Sequence, residues 1–252
     1  MFPDIYWENR NITGKANMIK RNIPLPLPNR EWLIILDRDA TIISSREIAY
    51  GCFEESFDKV ISKIYPLSEK LTLEEYTRSY HPFERNGVYE VYYPRLTSEQ
   101  MELIGELSWQ FYLDNCREEY FNNLLEGMDD FIRKLKAAGC LVVILTASDG
   151  DGHWMRHYNI PVDGFYSMIR LRQDEVFTGK KPEVIRHILK QYNKSFSESV
   201  TIGDNPKDHI AEIISVGAAF GLGCPSARRM LEESVDLYAP RVETLHEIFG
   251  LT

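Results

Sequence analysis

The 252-residue chain is 44% hydrophobic and carries a formal net charge of −9 at pH 7. That length and composition suit one large domain or a domain with an insertion. The acidic balance argues against a nucleic-acid partner, because a general nucleic-acid binder shows a basic stripe. No apolar run approaches the roughly 20 residues that would span a bilayer, so we expect no membrane partner.

The cysteines indicate the redox setting. Cys52, Cys116, Cys140 and Cys224 have no CxxC spacing and no nearby histidine cluster, so they are interpreted as isolated reduced thiols. The first residues also lack a charged-then-apolar signal pattern. We therefore expect a cytoplasmic location.

Residues 1–30 are predicted to form an extended N-terminal arm. Alternate prolines in Ile23–Pro28 disfavour a helix and favour a polyproline path. The arm would either pack along the body of the protein or remain a partly mobile lead-in.

The stretch Trp32–Leu36 is apolar and ends abruptly in charge, which predicts a buried strand of a parallel sheet. Asp37 and Asp39 follow at its carboxyl end, where open α/β sheets bind their ligands. Residues i and i+2 of an extended chain point to the same side. Two such carboxylates favour a nearby cation, and hard oxygen ligands suit Mg²⁺. Taken alone, the two aspartates could equally be turn residues.

Residues 45–125 differ in composition from the rest of the chain. They hold 8 Lys and Arg against 15 Asp and Glu, whereas the remainder holds 21 against 23. This block is predicted to be a separate, mostly helical unit with an exposed loop at His81–Val88. Its predicted helices run from Ser44 or Ser45 to about Tyr65, from the capping-box spacing of Thr72–Glu75, and from Ser98 to about Leu125.

Strands and helices alternate after this block. The predicted strands are residues 140–145, 165–169, 200–202, 218–222 and 235–238. The predicted helices are residues 128–138, a stretch through Tyr158, and residues 180–192, 208–216, 226–233 and 242–249. Such alternation predicts an α/β fold with a doubly wound, Rossmann-like parallel sheet and helices on both faces.

Polar residues stand at the ends of several predicted strands and at one helix start. They are Asp37, Asp39 and Thr41, then Thr146, Lys180 or Lys181, and finally Asp204 and Asp208. In a doubly wound sheet these ends line one crevice. One carboxylate could attack phosphorus and a second could protonate the leaving alkoxide. A hydroxyl and an ammonium could hold the phosphate oxygens while further carboxylates hold Mg²⁺.

These motifs resemble those of the haloacid dehalogenase superfamily, and within it the phosphoglycolate-phosphatase-like enzymes. Asp37–Thr41 resembles the first motif, Asp-x-Asp-Gly-Thr, and Thr146 the second. The Lys180/Lys181 pair resembles the third, and Gly203–Asp208 the fourth, Gly-Asp-x-x-x-Asp. The resemblance covers roughly residues 32–250. Ala40 departs from it by replacing the usual Gly, and Ala would be strained if the position needs φ > 0. Ser44 also stands where many relatives have Asp.

The resemblance implies a role for each matched position. Asp37 would be the nucleophile and Asp39 the general acid/base. Thr146 with its neighbour Ala147, and Lys181 in preference to Lys180, would hold phosphate. Asp37, Asp204 and the backbone carbonyl of Asp39 would bind Mg²⁺, with Asp208 in support and with Thr41 and Asn205 as auxiliary residues.

The resemblance also gives the domain organisation. Residues 31–44 and 126–252 would form the catalytic core and residues 45–125 a helical cap inserted between the first and second motifs. Family caps close over small soluble substrates. Arg46, His81 and Arg85 could contact a remote anion of the substrate, although each also fits an ordinary surface residue.

The expected activity is therefore Mg²⁺-dependent hydrolysis of a small phosphorylated metabolite by a monomer or homodimer. A phosphomutase on the same scaffold is an alternative. A phosphoaspartate signalling receiver and a non-catalytic module recruited through the proline-rich arm are alternatives of other classes. Dehalogenation is disfavoured because that chemistry does not use a second acid at Asp39.

Overall fold

Parallel strands form a single sheet in the computed structural model, which describes residues 23–27, 31–81, 87–119, 123–147, 153–173 and 180–251. The strands are β1 (Leu33–Leu36), β2 (Leu141–Thr146), β3 (Gly164–Ser167), β4 (Ser199–Gly203), β5 (Ile214–Ala218) and β6 (Leu237–Ala239). Their order across the sheet is β3-β2-β1-β4-β5-β6, and every pairing is parallel. The order reverses between β1 and β4, which is where open α/β sheets bind their ligands. The predicted Rossmann-like sheet is confirmed.

Helices cover both faces of this sheet. Those between β1 and β2 are α1 (Arg46–Ser56), a π-helical turn (Phe57–Ile61), α2 (Ser62–Ile64), α3 (Leu73–Ser79), α4 (Gly87–Tyr92), α5 (Ser98–Glu119) and α6 (Met128–Ala137). Those that follow β2 are α7 (His153–His157), α8 (Met168–Gln173), α9 (Lys181–Gln191), α10 (Pro225–Ser234) and α11 (Val242–Phe249). Alternate residues of β1 separate the two layers, as the period of a strand requires. Ile34 and Leu36 pack with α6 and α11, whereas Leu33 and Ile35 pack with α9.

Capping residues begin two of the helices where the sequence predicts. The Thr72 hydroxyl accepts a hydrogen bond from the Glu75 amide at 3.3 Å, and the Glu75 carboxylate accepts one from the Thr72 amide at 2.8 Å. Thr97 and Gln100 make the same reciprocal pair. Each pair satisfies amide donors that the first turn of a helix leaves without a partner.

Two predicted elements near the fourth motif are wrong. Residues 206–208 form only a 3₁₀ turn, and residues 209–213 are not helical. The strand β5 takes the last three residues of the predicted helix 208–216 and includes only Ala218 of the predicted strand 218–222. Ile213, Ile214 and Val216 are β-branched, which favours a strand. Because Val216 is fully buried and β5 pairs with both β4 and β6, sheet pairing overrides the helical spacing.

Three smaller boundaries also differ from the prediction. Met168 and Ile169 begin α8 rather than end a strand. The long helix is described as Ser98–Glu119, and Leu124, which lies within its predicted range, forms a β-bridge with Ile43 instead. The predicted exposed loop is wrong at both of its ends: His81 is buried, and Gly87 begins α4. Residues 82–86 between them lie outside the described part of the chain.

The helices α1 to α5, here called the helical block (residues 46–119), have an apolar core of their own. Its buried members are Phe53, Phe57, Val60, Ile61, Tyr65, Tyr76, Val88, Tyr93 and Ile104. The two chain connections to the sheet run side by side. The Ser44 amide donates to the Asn123 carbonyl at 2.8 Å, and the Leu125 amide donates to the Ile42 carbonyl at 2.9 Å.

Residues 23–27 are the described part of the N-terminal arm. Leu27 is buried, and its amide donates to the Ile248 carbonyl at 2.7 Å, which fixes this segment against α11. Of the cysteines whose side chains the structure describes, Cys140 and Cys224 are buried and Cys52 is partly buried. No helix in the described ranges has the length and apolar character that crossing a membrane requires.

Candidate active site

A tight loop after β1 places the first-motif residues at the carboxyl end of the sheet. The Asp37 amide donates to the Ile202 carbonyl of β4 at 2.8 Å, which holds Asp37 in the sheet. The Arg38 carbonyl then accepts hydrogen bonds from the amides of Ile42 at 2.8 Å and Ile43 at 3.0 Å. The chain therefore turns back immediately after the two aspartates.

Ala40 has a φ of 56°, so it adopts the left-handed conformation that suits the usual Gly of this motif, although Ala carries a Cβ atom. For an L-residue other than Gly this conformation costs about 1–2 kcal/mol. The loop after β5 passes directly over this turn, because a Cβ atom at Gly221 would overlap the Ala40 carbonyl. That close approach requires Gly at position 221.

Three buried carboxylates meet at the edge of the sheet where β1 and β4 end. Asp37, Asp204 and Asp208 each offer an oxygen, and these oxygens lie within 4.8 Å of one another. The Lys181 Nζ donates to Asp37 Oδ1 at 2.5 Å and also to Asp208 Oδ1. Residues that are far apart in the sequence therefore converge on one point.

The fourth motif has a local reason for its glycine. A Cβ atom at Gly203 would collide with the side chain of Asp208, so the glycine lets that carboxylate fold back over the end of β4. The Asn205 amide donates to Asp208 Oδ2 at 3.1 Å, and the Asn205 side chain accepts from the Lys207 amide at 3.0 Å. Asn205 thus shapes the turn that presents Asp204 and Asp208.

Burial and mutual repulsion make this cluster costly to ionise. Burial raises the pKa of Asp37 to about 7. The Lys181 ammonium opposes that rise, and the charges of Asp208 and Asp39 add to it. Burial, followed by the charges of Asp37 and Asp208, raises the pKa of Asp204 well above its usual range. Burial alone would lower the pKa of Lys181, but the neighbouring carboxylates outweigh it, so the pKa is raised and the ammonium stays charged.

The cluster fits a divalent cation. Three carboxylates face one lysine ammonium in the described structure, which leaves a charge deficit of the size that a divalent cation would supply. Hard carboxylate oxygens are the ligands that Mg²⁺ binds in proteins. The cluster is thus compatible with a divalent metal on the chemistry of its donors.

Asp39 is directed to different partners. Its carboxylate accepts from Thr146 Oγ1 at 3.1 Å and from Arg38 Nη2 at 3.2 Å. Its side chain is 25% exposed, whereas Arg38 has no exposed surface. Arg38 has no role among the predicted site residues. The sequence could have indicated this residue, because an arginine between two aspartates directly after a buried strand is placed to pair with one of them. A buried arginine needs such a partner for its charge.

The remaining predicted residues fall at different distances from the cluster. Lys180 is exposed at the start of α9, so of the two lysines only Lys181 reaches the acids. Ala147 is half-buried against the α9 side of the sheet. Thr41 is fully buried, and its hydroxyl has no hydrogen-bond partner among the described residues. Arg46 is half-exposed and pairs with Glu47 at 2.7 Å. Arg85 lies outside the described residues.

The fold and this acidic edge define a Rossmann-like α/β hydrolase core. The family model of the haloacid dehalogenase-like hydrolases matches residues 34–213, and the chain belongs to that family. It is accordingly a hydrolase.

The chain resembles several solved structures in fold, and at identities below 20% this likeness shows the fold alone. A predicted phosphatase from Clostridium acetobutylicum is 18% identical, with a TM-score of 0.59 over 86% of this chain and 97% of its own. A predicted phosphoglycolate phosphatase from Haemophilus somnus is 14% identical, with a TM-score of 0.56 over 82% and 93%. A family hydrolase from Deinococcus radiodurans, solved with bound phosphate and sodium, is 17% identical, with a TM-score of 0.59 over 88% and 98%. No curated protein matches the chain significantly.

Proposed function

We propose that the protein is a Mg²⁺-dependent phosphatase that hydrolyses a small phosphomonoester through an aspartyl-phosphate on Asp37. The observation that carries the proposal is the contact of Lys181 with both Asp37 and Asp208, beside Asp204. An ammonium fixed next to a candidate nucleophile and two further acids suits a reaction in which phosphoryl oxygens and a cation share one site. The predicted phosphatase of similar fold from Clostridium acetobutylicum, and the phosphate bound in the family hydrolase of similar fold from Deinococcus radiodurans, agree with this proposal.

In the proposed first step, an oxygen of Asp37 attacks phosphorus and the bond from phosphorus to the leaving oxygen breaks. Asp39 gives its proton to that oxygen, so the product leaves as an alcohol. Lys181 and Thr146 hold the phosphoryl oxygens as charge shifts among them. Asp37, Asp204, Asp208 and the Asp39 carbonyl would hold Mg²⁺, which supplies positive charge to the phosphoryl oxygens when bound.

In the proposed second step, Asp39 takes a proton from water while the water oxygen attacks phosphorus. The bond between phosphorus and Asp37 breaks, which releases phosphate and restores the carboxylate of Asp37. Asp39 ends the cycle protonated, ready for the next leaving group. The same carboxyl therefore serves as acid and then as base.

The helical block is proposed to be a cap over this site, with residues 45–125 as the cap, residues 31–44 and 126–252 as the core, and residues 1–30 as an N-terminal arm. The end of α3 lies on the core, because a Cβ atom at Gly223 would collide with Thr77. In this proposal the cap admits a small phosphorylated metabolite and excludes bulk water. A cytoplasmic location and a monomer or homodimer complete the proposal.

A panel of phosphorylated metabolites tests the function directly. Wild-type protein should release phosphate from at least one member when Mg²⁺ is present and lose that activity in EDTA. Asp37→Asn should lose at least about 10³-fold, since it lacks the attacking oxygen. Asp58→Asn, a surface substitution with its carboxylate 63% exposed, should retain activity. Failure of the wild type across the panel, or full activity of Asp37→Asn, would contradict the proposal.

A further inference from the structure

We infer that Arg38 is a positioning residue that holds the Asp39 carboxyl group in the orientation needed for proton transfer to the leaving group. This inference rests on the proposed function, because it assigns to Asp39 the role of general acid. It concerns a side chain for which the resemblance to the family supplies no role, since the middle position of the first motif is unspecified.

Arg38 is built into the core in a way that surface arginines are not. Its side chain has no exposed surface, and among the described residues it is the largest side chain buried to that degree. Its guanidinium faces both carboxylate oxygens of Asp39, with Nε 3.4 Å from Oδ1 and Nη2 3.2 Å from Oδ2. Burying an arginine is costly unless it is paired, so this pairing is a strong local constraint.

The geometry of the pair explains what the constraint does. A planar guanidinium that contacts both oxygens resists rotation of the carboxylate, which a single point charge does not. The Thr146 hydroxyl adds a third contact, at 3.1 Å to Oδ2. With its side chain 25% exposed, the Asp39 carboxyl keeps an accessible edge while its plane is held.

The backbone of Arg38 acts on the same loop. Its carbonyl accepts the hydrogen bonds from Ile42 and Ile43 that form the turn after Asp39. The side chain therefore reaches Asp39 from a backbone that is itself fixed. A general acid must lie within hydrogen-bond reach of the leaving oxygen, so a freely rotating Asp39 would transfer its proton less often.

This role predicts a dependence on the leaving group that a purely structural role does not. Phenolate is a poor leaving group that benefits from protonation, whereas p-nitrophenolate departs as an anion at neutral pH. Phenyl phosphate and p-nitrophenyl phosphate have nearly the same shape. A loss of proton transfer should therefore lower kcat/KM for phenyl phosphate much more, because kcat/KM covers the steps through departure of the leaving group.

The experiment compares wild type, Arg38→Met and Arg38→Lys on both substrates with Mg²⁺. Arg38→Met should lose at least about 10-fold in kcat/KM on phenyl phosphate but less than about 3-fold on p-nitrophenyl phosphate. Arg38→Lys, which keeps the charge without the planar fork, should lose an intermediate amount with the same selectivity. Arg186→Met is the control, because Arg186 is 48% exposed in a surface pair with Glu212; it should match wild type on both substrates.

Equal losses on the two substrates, or no loss on either, would overturn the inference. So would a failure of both Arg38 variants to fold, as judged by thermal melting, because Arg38 would then be a structural residue. If wild-type protein hydrolyses neither substrate nor any member of the metabolite panel, the proposed function itself fails. That outcome is separate from a failure of the Arg38 inference, which needs an active wild type.

Discussion

Replacing Asp204 with Asn should stabilise the metal-free protein, although Asp204 is proposed to be essential when metal is bound. The oxygens of Asp204, Asp37 and Asp208 lie within 4.8 Å of one another. Two unit charges at that separation repel by about 3 kcal/mol at an effective dielectric constant of about 20. The positive charge of Lys181 offsets one such repulsion. Protonation of Asp204 relieves part of the repulsion that remains. The net gain expected for the neutral amide is about 1–3 kcal/mol.

Thermal melting with and without metal measures this gain. For a protein of this size, 1–3 kcal/mol corresponds to a rise in Tm of roughly 2–10 °C in EDTA near neutral pH. Millimolar Mg²⁺ should cancel or reverse that difference, since a ligand at about 100 times its Kd adds about 2.7 kcal/mol to the stability of a protein that binds it. Asp204→Asn should gain little from Mg²⁺, because it lacks one of the ligand oxygens.

Asp58→Asn is the matched control for this prediction. Asp58 lies on the surface and pairs with Lys70, so its loss should change the free energy of unfolding by less than about 1 kcal/mol with or without Mg²⁺. A lower Tm of Asp204→Asn in EDTA would refute the reasoning about the acid cluster. Equal stabilisation of Asp204→Asn and wild type by Mg²⁺ would refute the assignment of the metal site.

Three further predictions follow from the same site. Lys181→Met should lower kcat/KM on p-nitrophenyl phosphate by at least about 10²-fold, while Lys180→Met should stay within about 3-fold of wild type; steady-state kinetics decide between them. Ala40→Gly should gain about 1 kcal/mol in urea unfolding because it relieves the left-handed φ of 56°, whereas Ala137→Gly on the exposed face of α6 should lose about as much; a loss at position 40 would contradict the strain. The pKa of Asp37 is raised from 3.8 to about 7, so between about pH 4 and pH 7 the folded state keeps a proton that the unfolded state has released. The metal-free protein should therefore lose stability as the pH rises through that window, by up to about 4 kcal/mol from Asp37. Urea unfolding of wild type and Asp37→Asn across that pH range should measure this contribution as the difference between their free energies of unfolding.

The candidate site was predictable because its residues stand at the ends of buried apolar strands. Parallel strands bring their carboxyl ends to one edge, so the spacing of Asp37, Thr146 and Asp204 was enough to predict that they lie at the same edge. The preference for Lys181 over Lys180 came from the resemblance to the family, and the structure agrees with it. Lys181 is the first residue of α9 and contacts Asp37 and Asp208, whereas Lys180 is the exposed residue before the helix.

The errors share a physical cause, which is that tertiary contacts override local patterns. Residues 208–216 have helical spacing, but the neighbours β4 and β6 bind Ile214–Ala218 as a strand. His81 follows a helix and precedes a proline, which is typical of an exposed loop, yet it is buried. Arg38 was missed because the sequence shows only an arginine between two aspartates after an apolar strand, and its complete burial depends on packing that this pattern does not specify.

Trapping the phosphorylated enzyme tests the central claim most directly. The Asp39→Asn variant should still accept a phosphoryl group from p-nitrophenyl phosphate, which needs little help from an acid, but should hydrolyse the aspartyl-phosphate slowly because it lacks the base. After an acid quench, tandem mass spectrometry should find one added phosphoryl group on Asp37, and none in protein that also carries Asp37→Asn. A phosphoryl group on any other residue, or continued release of p-nitrophenol with no labelled Asp37, would contradict the proposed mechanism.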